Sequence, residues 1–493
     1  MMVPFVGGGS EYRSRDVSAQ RSVNLYPEFV DVKNPKTGAI LIGTPGTETF
    51  SDLGDIGICR GMWYTSTSRL FAVYGGNLYE FDNAGAYTNK GNIGLLATPV
   101  SMTDNGKYLV FADGVKMRTY NLDTGGTITE ITIPFDNPTQ IGYVDNRIVA
   151  INNDITLDET DPLNTRENNK FYWSDAGFDG PLTWGALSWA SAESSADAIE
   201  SLAVKEGEIW LFGPRSYEAW RTNTNPDLPF SKVGGSDSAV GSGATYGVSN
   251  IGDNIFWLGT STAGQNQVFM SNGYGHQRIS NHSIEYELDK MGVTEDAQGF
   301  AYQQEGHTFY VLNFITGDKT LVYDITTNEW HERATRDPNL NILHRWDPIY
   351  ASYAFGKVVV GNSRDSKVLT LNLDKYDEYD SRPIVRIRQS PVYWEDLREL
   401  FHREFQIDLD TGHGVQTGQG SDPQGMLQYS DDGGNTWSSE RWTGLGKIGQ
   451  YKTRVRFRRL GRSRERVYRF QISDPIKVVL IGARVIAESG SKP

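Results

Sequence analysis

Apolar and polar residues follow one repeated pattern along most of this chain. A run of four or five apolar or aromatic residues leads through a turn, often one with glycine, into a segment where apolar and polar residues alternate. Neither part is long enough for a helix, and each has the length and period of a β-strand. The pattern begins at seven places, which are Arg69 (RLFAVYGGNLYEFD), Lys107, Arg147, Glu208, Asn254, His307 and Lys357.

The starts are 38 to 61 residues apart, around the spacing at which four-stranded blades repeat in a β-propeller. We interpret the apolar run as a strand packed on both faces and the alternating segment as a strand with one wetter face. A lone unit cannot cover its own apolar faces, so the units must stack. The chain is therefore predicted to be all-β, with a β-propeller of six or seven blades.

The organisation changes near residue 380. The acidic run DKYDEYD at Asp374 to Asp380 precedes a region in which the repeat spacing is lost. We predict an N-terminal arm and first strands joining the propeller at 1–60, the β-propeller at 61–380, and a C-terminal β-sandwich-like domain at 381–493. The glycine-rich stretch from Thr411 to Pro423 is predicted to be a mobile surface loop.

One segment of the C-terminal domain is ambiguous. Trp394, Leu397, Phe401 and Phe405 have helical spacing, but the same residues run into the strand pattern REFQIDLD. Helix and strand both remain open for this segment.

Composition agrees with a turn-rich β protein. The chain has 53 glycines, 25 tyrosines and 12 tryptophans among 493 residues, and it is long enough for more than one domain. Cys59 is its single cysteine, so no internal disulfide is expected, as suits folding in a reducing cytoplasm. The short apolar run at the start is followed by glycines and charges, so we expect neither a signal peptide nor membrane insertion.

Charge is distributed unevenly. Between Arg441 and Arg469 there are 11 Lys or Arg and one acid, so this stretch carries +10 and the rest of the −14 chain carries −24. Arginines alternate with Val455 and Phe457, and Gly461 suits a turn, so we predict a hairpin with an arginine face. Its predicted partner or channel residues are Arg454, Arg456, Arg458, Arg459, Arg462, Arg464 and Arg466.

The arginine face has two interpretations. It is either a solvated face with intramolecular ion pairs, or a surface for an acidic partner subunit or for DNA, because so many like charges repel unless something neutralises them. Sequence-specific DNA reading is not indicated, since no recognition helix, zinc spacing or RNA-binding aromatic motif accompanies the arginines.

A sharper motif lies just upstream. The segment SDDGGNTW fits the Asp-box pattern of sialidases and related propellers, in which the aspartate and glycines form a tight turn between strands and the tryptophan packs beneath it. We interpret it as structural and not catalytic. Its residues are Ser430, Asp432, Gly434, Thr436 and Trp437.

No credible catalytic, cofactor or metal site emerges. The acidic loop with Asp158, Glu159 and Asp161 is of a kind more often solvated than catalytic, and no Walker or dinucleotide glycine motif is present. A glycan-binding propeller or sialidase-like glycosidase, the alternative function, needs clustered arginines in the central well; those of the propeller are scattered at Arg118, Arg147, Arg215, Arg221, Arg278 and Arg333. The seven histidines lack metal-ligand spacing; they are His276, His282, His307, His331, His344, His402 and His413.

Several segments carry a family resemblance. RSVNLYPE at Arg21 to Glu28 and GTPGTETF at Gly43 to Phe50 resemble the amino-terminal pattern of the packaged-DNA stabilisation proteins of short-tailed bacteriophages, also called tail hub or nozzle proteins. Further segments similar to that family follow in the same order. They are Ser238 to Gly259, Gly273 to Leu288, and YSDDGGNTW with the later RVRFRRLGRSRERVYRFQI.

The resemblance implies a non-enzymatic structural virion protein, located in the viral tail and made in the host bacterial cytoplasm. It implies a homohexameric ring below the portal and its adaptor ring, which extends the DNA channel, retains packaged DNA until ejection, holds a tail needle or plug, and seats tailspikes or fibres. The segments from Leu157 to Asn169 and from Gly412 to Gly420 match nothing in that pattern.

Overall fold

The computed structural model describes residues 2–32, 36–152, 169–177, 182–192, 198–261, 266–337, 339–396 and 398–489. Strands dominate these ranges, and their one α-helix, α1, spans His282–Met291. No helix in the described part of the chain is long and apolar enough to cross a membrane.

Five strands precede the first of seven successive sheets, and most of them pair with strands far along the chain. They are β1 (Met2–Val3), β2 (Arg21–Val23), β3 (Leu25–Phe29), β4 (Ala39–Gly43) and β5 (Gly46–Asp52).

Seven antiparallel sheets follow in chain order, each an up-and-down meander. The strands of the first four sheets are β6 (Cys59–Tyr64), β7 (Leu70–Tyr74), β8 (Asn77–Phe81) and β9 (Tyr87–Asn92); β10 (Ser101–Asp104), β11 (Tyr108–Ala112), β12 (Met117–Asn121) and β13 (Thr129–Glu130); β14 (Pro138–Val144), β15 (Arg147–Asn152), β16 (Lys170–Trp173) and β17 (Trp189–Ser191); and β18 (Ser201–Lys205), β19 (Glu208–Phe212), β20 (Tyr217–Thr222) and β21 (Phe230–Lys232).

The fifth sheet has a first strand in two pieces, both of which pair with its second strand. The strands of the last three sheets are β22 (Val240–Ser242), β23 (Ser249–Ile251), β24 (Asn254–Ser261), β25 (Asn266–Asn272) and β26 (Gly275–Arg278); β27 (Gln298–Gln304), β28 (His307–Phe314), β29 (Lys319–Asp324) and β30 (Glu329–Arg336), with the short β31 (Leu343–Arg345) on β30; and β32 (Pro348–Ala354), β33 (Lys357–Asn362) and β34 (Lys367–Asn372).

The first strands of the seven sheets contact one another in cyclic order, and β32 of the seventh sheet contacts β6 of the first. The sheets are therefore blades around a common axis, with their first strands innermost. Strand β5 completes blade 7 by pairing with β34, so residues from the two ends of the domain close the ring. This confirms the predicted propeller and gives it seven blades.

The predicted repeat starts fall on the second strand of each blade, not the first. A second strand has a neighbour on both sides within its sheet and is covered on both faces, as in β7, which is buried throughout. The first strands lie beside the axis and have mixed sequences such as SMTD in β10. Their polar positions hide them from a search for apolar runs.

The C-terminal region forms two further sheets. Its strands are β35 (Arg386–Gln389), β36 (Tyr393–Trp394), β37 (Leu400–Leu409), β38 (Gln424–Ser430), β39 (Arg441–Gly444), β40 (Val455–Arg458), β41 (Arg462–Ser463), β42 (Glu465–Ile472) and β43 (Val479–Ser489). The first sandwich sheet has the order β3-β4-β43-β37-β40, with β1 on β43 and β41 on β37; the second has the order β2-β35-β42-β38-β39, with β36 on β42.

The two sandwich sheets enclose an apolar core. The rings of Phe405 and Tyr468, one from each sheet, stack with centroids 4.3 Å apart. This is the predicted β-sandwich. The ambiguous segment is extended and not helical, since β36 and β37 occupy it; Leu397 lies outside the described residues.

The second sandwich sheet is continuous with blade 6. Strand β2 pairs in parallel with β30 at Val23 and Glu332, and on its other side it pairs antiparallel with β35. Strands β1 to β4 thus belong to the sandwich sheets, and the predicted N-terminal arm and first strands at 1–60 join the propeller through β5 and the start of β6. The sequence does not indicate the sandwich pairing of β2, because strand pairing over more than 300 residues leaves no local signal.

The glycine-rich loop is also more buried than predicted. Gly412, Gly414 and Gly420 are buried, and the N–H of Gly449 donates to the carbonyl of Gly412 at 3.1 Å. The other unmatched segment lies almost entirely outside the described residues, which stop at residue 152 and resume at 169. Asp158, Glu159 and Asp161 lie in that gap.

Candidate partner surface

The predicted arginine hairpin is not formed. Strand β40 is an edge strand of the first sandwich sheet and pairs with β37, whereas β42 lies in the second sheet between β35 and β38. Both strands turn apolar residues toward the same core, where the rings of Phe457 and Phe470 meet edge to face with centroids 6.3 Å apart. Two strands that share a core from opposite sides pack face to face and cannot pair edge to edge.

Arg466 is removed from the predicted surface, since only 1% of it is exposed. Its guanidinium donates to both carboxylate oxygens of Asp431 at 2.6 and 2.7 Å and to the carbonyl of Leu460 at 2.6 Å. The guanidinium also lies 4.0 Å from the ring centroid of Tyr429. This arginine joins the start of β42 to the turn that follows β38.

Other arginines of the run are exposed but already paired. Arg458 donates to Glu404 at 2.7 Å, and Arg462 lies 3.3 Å from Glu399. Exposed pairs of this kind add little stability, but they neutralise charge. Arg459 and Arg464 are exposed and make no ion pair with any described residue.

Arg454, Arg456 and Arg484 form what we call the basic face, on the outer side of the first sandwich sheet. Arg456 on β40 lies opposite Gln406 on β37, and Gln406 lies opposite Arg484 on β43. With strands about 4.8 Å apart, the two arginines leave the sheet about 10 Å from each other. None of the three forms an ion pair with a described residue.

A groove of about 440 Å³ runs along this face, lined by Arg454, Gln406, Asp408, Lys36 and Arg484. Lys36 and Asp408 neutralise each other at 2.5 Å, so the net charge of the groove is positive. Sequence reasoning missed Arg484, which lies outside the basic run. Arg484 joins this face through the register of β43 on β37, and the sequence does not reveal that register.

The Asp-box segment forms a tight turn after β38. The carboxylate of Asp432 accepts hydrogen bonds from the Ser430 hydroxyl at 2.6 Å, from the Thr436 hydroxyl at 2.6 Å, and from the N–H groups of Thr436 and Asn435. These donors hold the pKa of Asp432 below its usual range, the Ser430 hydroxyl contributing most. The site is an intramolecular turn whose carboxylate is fully occupied.

Trp437 is half-buried beneath this turn. A Cβ added to Gly434 would lie 3.4 Å from its ring, and the guanidinium of Arg469 lies 3.5 Å from the ring centroid. Burial lowers the pKa of Arg469 to about 10. The ring therefore covers a partly desolvated cation.

Replacing Trp437 with alanine is expected to lower the free energy of unfolding by about 1 to 2 kcal/mol, since a half-buried ring and a cation–π contact are lost. Thermal melting measures the effect. Trp442→Ala is the matched control, because Trp442 is 55% exposed and its truncation should leave stability within about 0.5 kcal/mol. Equal melting temperatures for both variants would refute a structural role for the turn.

The propeller arginines do not gather at the axis. Arg118, Arg221, Arg278 and Arg333 lie on third or fourth strands and Arg147 on a second strand, away from the innermost position. Arg215 lies in the turn between β19 and β20. Arg60 on the innermost strand β6 is buried and donates to the carbonyls of Thr98 and Gly75 at 2.8 and 2.9 Å. The clustered arginines that a sialidase-like well requires are therefore not assembled from these residues.

One side chain links the innermost strands of three neighbouring blades. Gln140 of blade 3 donates to the carbonyl of Thr245 in blade 5 at 2.5 Å and accepts from the N–H of Leu202 in blade 4 at 2.6 Å. Burial raises the pKa of the nearby Tyr246. These hydrogen bonds tie blades 3, 4 and 5 together beside the axis.

The buried His402 and His307 have structural partners. His402 lies 2.7 Å from the Tyr468 hydroxyl and 2.9 Å from the Ser463 hydroxyl, and burial together with Arg466 lowers its pKa to about 4. His307 lies 2.7 Å from Asp324. Among the described residues, no group of three or more metal-ligating side chains is found.

Two families match the chain in succession. The family described as bacteriophage P22 Gp10, beta-propeller, matches residues 1–376, and the family described as P22 Gp10, beta-sandwich, matches residues 375–488. No protein with a curated description matches.

Solved structures are similar in a much more general way. The N-terminal domain of Nup159 has 9% sequence identity and a TM-score of 0.40, covering 72% of this chain and 99% of its own. The Pan2 WD40 domain of Neurospora crassa has 8% identity and a TM-score of 0.42, covering 67% and 97%. Likeness at this level carries nothing about function.

Proposed function

Because the chain belongs to the bacteriophage P22 Gp10 family, the structural tail hub or nozzle proteins of short-tailed phages, we propose that it forms a ring that extends the portal-adaptor channel. In this role it retains packaged DNA until ejection, holds a tail needle or plug, and seats tailspikes or fibres. It acts in the virion tail without catalysis, as a homo-oligomer of six copies made in the host bacterial cytoplasm. The observation that carries the proposal is the match of both domains, in order, over residues 1–488.

The junction between the two domains supports a role as one rigid unit. A continuous sheet runs from blade 6 through β2 into the sandwich. Arg388, which is fully buried, donates from this junction to the carbonyls of Phe5 and Gly8 at 2.8 and 3.1 Å and to Gln20 at 3.1 Å. Buried, satisfied polar groups of this kind fix the relative position of the elements they join.

The inner strands of the propeller support a particular path for DNA. The side chain of Gln140 bridges the innermost strands of blades 3, 4 and 5 at 2.5 and 2.6 Å, which narrows the space beside the axis. We therefore place the proposed channel between copies of the chain, with each propeller as a wall of that channel.

The proposal is tested by complementation. A phage whose copy of this gene is disrupted is grown in cells that supply the chain from a plasmid, and particles are analysed for the protein by mass spectrometry and for encapsidated DNA. We expect particles made without the chain to lose their DNA and particles made with it to retain it. DNA-filled, infectious particles made without the chain would refute the proposed role.

Replacing Arg454 and Arg456, which form no ion pair with a described residue, with serine is expected to reduce incorporation of the chain into particles by at least about tenfold, because interfacial charge pairs contribute about 1 kcal/mol or more each. Arg462→Ser is the control, since that exposed arginine already pairs with Glu399. Normal incorporation with salt-sensitive DNA leakage would assign these arginines to DNA instead.

A further inference from the structure

One rim of the propeller carries an arc of acidic turns. Because every blade begins with an innermost strand of the same direction, the turns joining first and second strands all lie on one rim. In blades 3, 4, 5 and 6 this turn contains an exposed carboxylate. We call these four residues the acidic arc: Asp145, Glu206, Asp253 and Glu305.

The acidic arc has no internal neutralisation. None of its four carboxylates forms an ion pair with a described residue. The corresponding turns of blades 2 and 7 carry Asn105 to Lys107 and Phe355 to Gly356 instead, so the negative charge occupies one part of the rim. Mutual repulsion of four like charges is relieved when a cationic surface covers them.

The backbone conformation of the turn does not favour glutamate at two of these positions. Glu206 and Glu305 have φ angles of +50° and +46°, a left-handed conformation that favours glycine or asparagine and costs other residues about 1 to 2 kcal/mol. A glutamate at such a position breaks a local preference, which is more common at functional surfaces than elsewhere.

The basic face and the acidic arc are complementary surfaces of one chain. They lie on different domains. The three arginines form no ion pair with a described residue, and carboxylates of a partner would neutralise them. A contact between two different surfaces of identical copies is heterologous, and such contacts generate closed rings when the rotation closes. The two surfaces carry opposite charge, and neither the arginines of the one nor the carboxylates of the other form an ion pair with a described residue.

We propose that the basic face of one copy docks on the acidic arc of the next copy. This inference rests on the proposed function, in that the copies assemble into a ring. Glu404 and Asp408 lie on the same face of the first sandwich sheet as the arginines. Because Glu404 and Asp408 pair with Arg458 and Lys36, the three arginines of the basic face provide the net charge that the acidic arc meets.

Charge reversal on each side, and on both together, tests the proposal. The face variant carries Arg454→Glu, Arg456→Glu and Arg484→Glu; the arc variant carries Asp145→Lys, Glu206→Lys, Asp253→Lys and Glu305→Lys. Each is supplied to the gene-disrupted phage, and incorporation into particles is measured. Thermal melting of each purified chain verifies folding.

We expect each single-sided variant to be incorporated at least tenfold less than the wild-type chain, and the doubly reversed chain to recover most of the loss, because its reversed surfaces again attract. The control reverses Arg13, Arg221 and Lys477, three exposed cations outside the basic face, and should be incorporated normally. Only a direct contact between the two surfaces predicts the recovery.

The other outcomes separate this inference from the proposed function. Wild-type chain absent from particles would refute the proposed function itself. Single-sided variants incorporated like wild type, or losses that the doubly reversed chain does not recover, would overturn the docking proposal while leaving the tail role intact. Normal incorporation of the face variant with loss of encapsidated DNA would show that the basic face meets DNA.

Discussion

Replacing Asn24 with alanine is expected to lower the free energy of unfolding by about 3 to 5 kcal/mol. Its side chain, buried at the end of β2, donates to the carbonyls of Ala334 and Val385 and accepts from the N–H of Ala334, each at 2.9 Å. Alanine would leave three buried backbone groups without a partner, each costing about 1 to 3 kcal/mol, with incomplete additivity. Denaturant unfolding, followed with separate probes for the two domains, measures the loss.

Two controls isolate the hydrogen bonds. Asn24 has a φ of +54°, so Asn24→Gly keeps the left-handed backbone and removes the three bonds alone. Asn146 has a φ of +62° but is exposed, and its side chain accepts one exposed hydrogen bond, from the Tyr143 hydroxyl at 2.9 Å. Asn146→Ala therefore reports the backbone cost together with the loss of one exposed hydrogen bond. If Asn24→Gly is as stable as the wild-type chain, the side chain does not hold the junction together.

Replacing Glu378 with glutamine is expected to flatten the dependence of stability on pH between about 5 and 8 and to stabilise the protein at the upper end. Burial raises the pKa of Glu378 from 4.5 to about 7, with Asp347 adding to the shift, while the Thr47 hydroxyl, which donates at 2.5 Å, opposes it. Because the pKa of this carboxyl is higher in the folded than in the unfolded protein, the folded state binds more protons than the unfolded state at pH values between the two pKa values. The contribution of Glu378 is complete below pH 4.5 and is lost as pH rises through 7.

The expected size follows from about 1.4 kcal/mol for each unit of pKa shift, which makes Glu378→Gln about 3 kcal/mol more stable relative to wild type at pH 8 than at pH 4.5. Glu332→Gln is the control, and its expected effect on stability has the opposite sign. Arg21 and Lys319 lower the pKa of Glu332 against the opposing effect of burial, so Glu332→Gln should destabilise the protein above pH 4.5. A parallel pH profile for Glu378→Gln and wild type would show that Glu378 is ionised in the folded protein.

The parts of the fold that sequence reasoning recovered are those with a local cause. Apolar runs such as LFAVY at Leu70–Tyr74, followed by a glycine turn and an alternating return, predicted the second and third strands of the blades and the propeller itself. The first strands were missed because they lie beside the axis and carry polar groups such as Gln140. Strand β5 was missed as the closing strand of blade 7 because its partner, β34, lies more than 300 residues away.

The candidate surface likewise has some features with a local cause in the sequence and others that depend on the tertiary structure. The sequence by itself determined that basic residues concentrate between Arg441 and Arg469 and that an Asp-box turn precedes them, because composition and tight turns depend only on neighbouring residues. Tertiary structure alone decided which charges are free: it buried Arg466 against Asp431, neutralised Arg458 with Glu404, and brought Arg484 into line with Arg456. It also gathered four turns of separate blades on one rim. Strand register and blade closure pair residues distant in the chain, and charge is neutralised or left free according to what lies within a few ångströms in space.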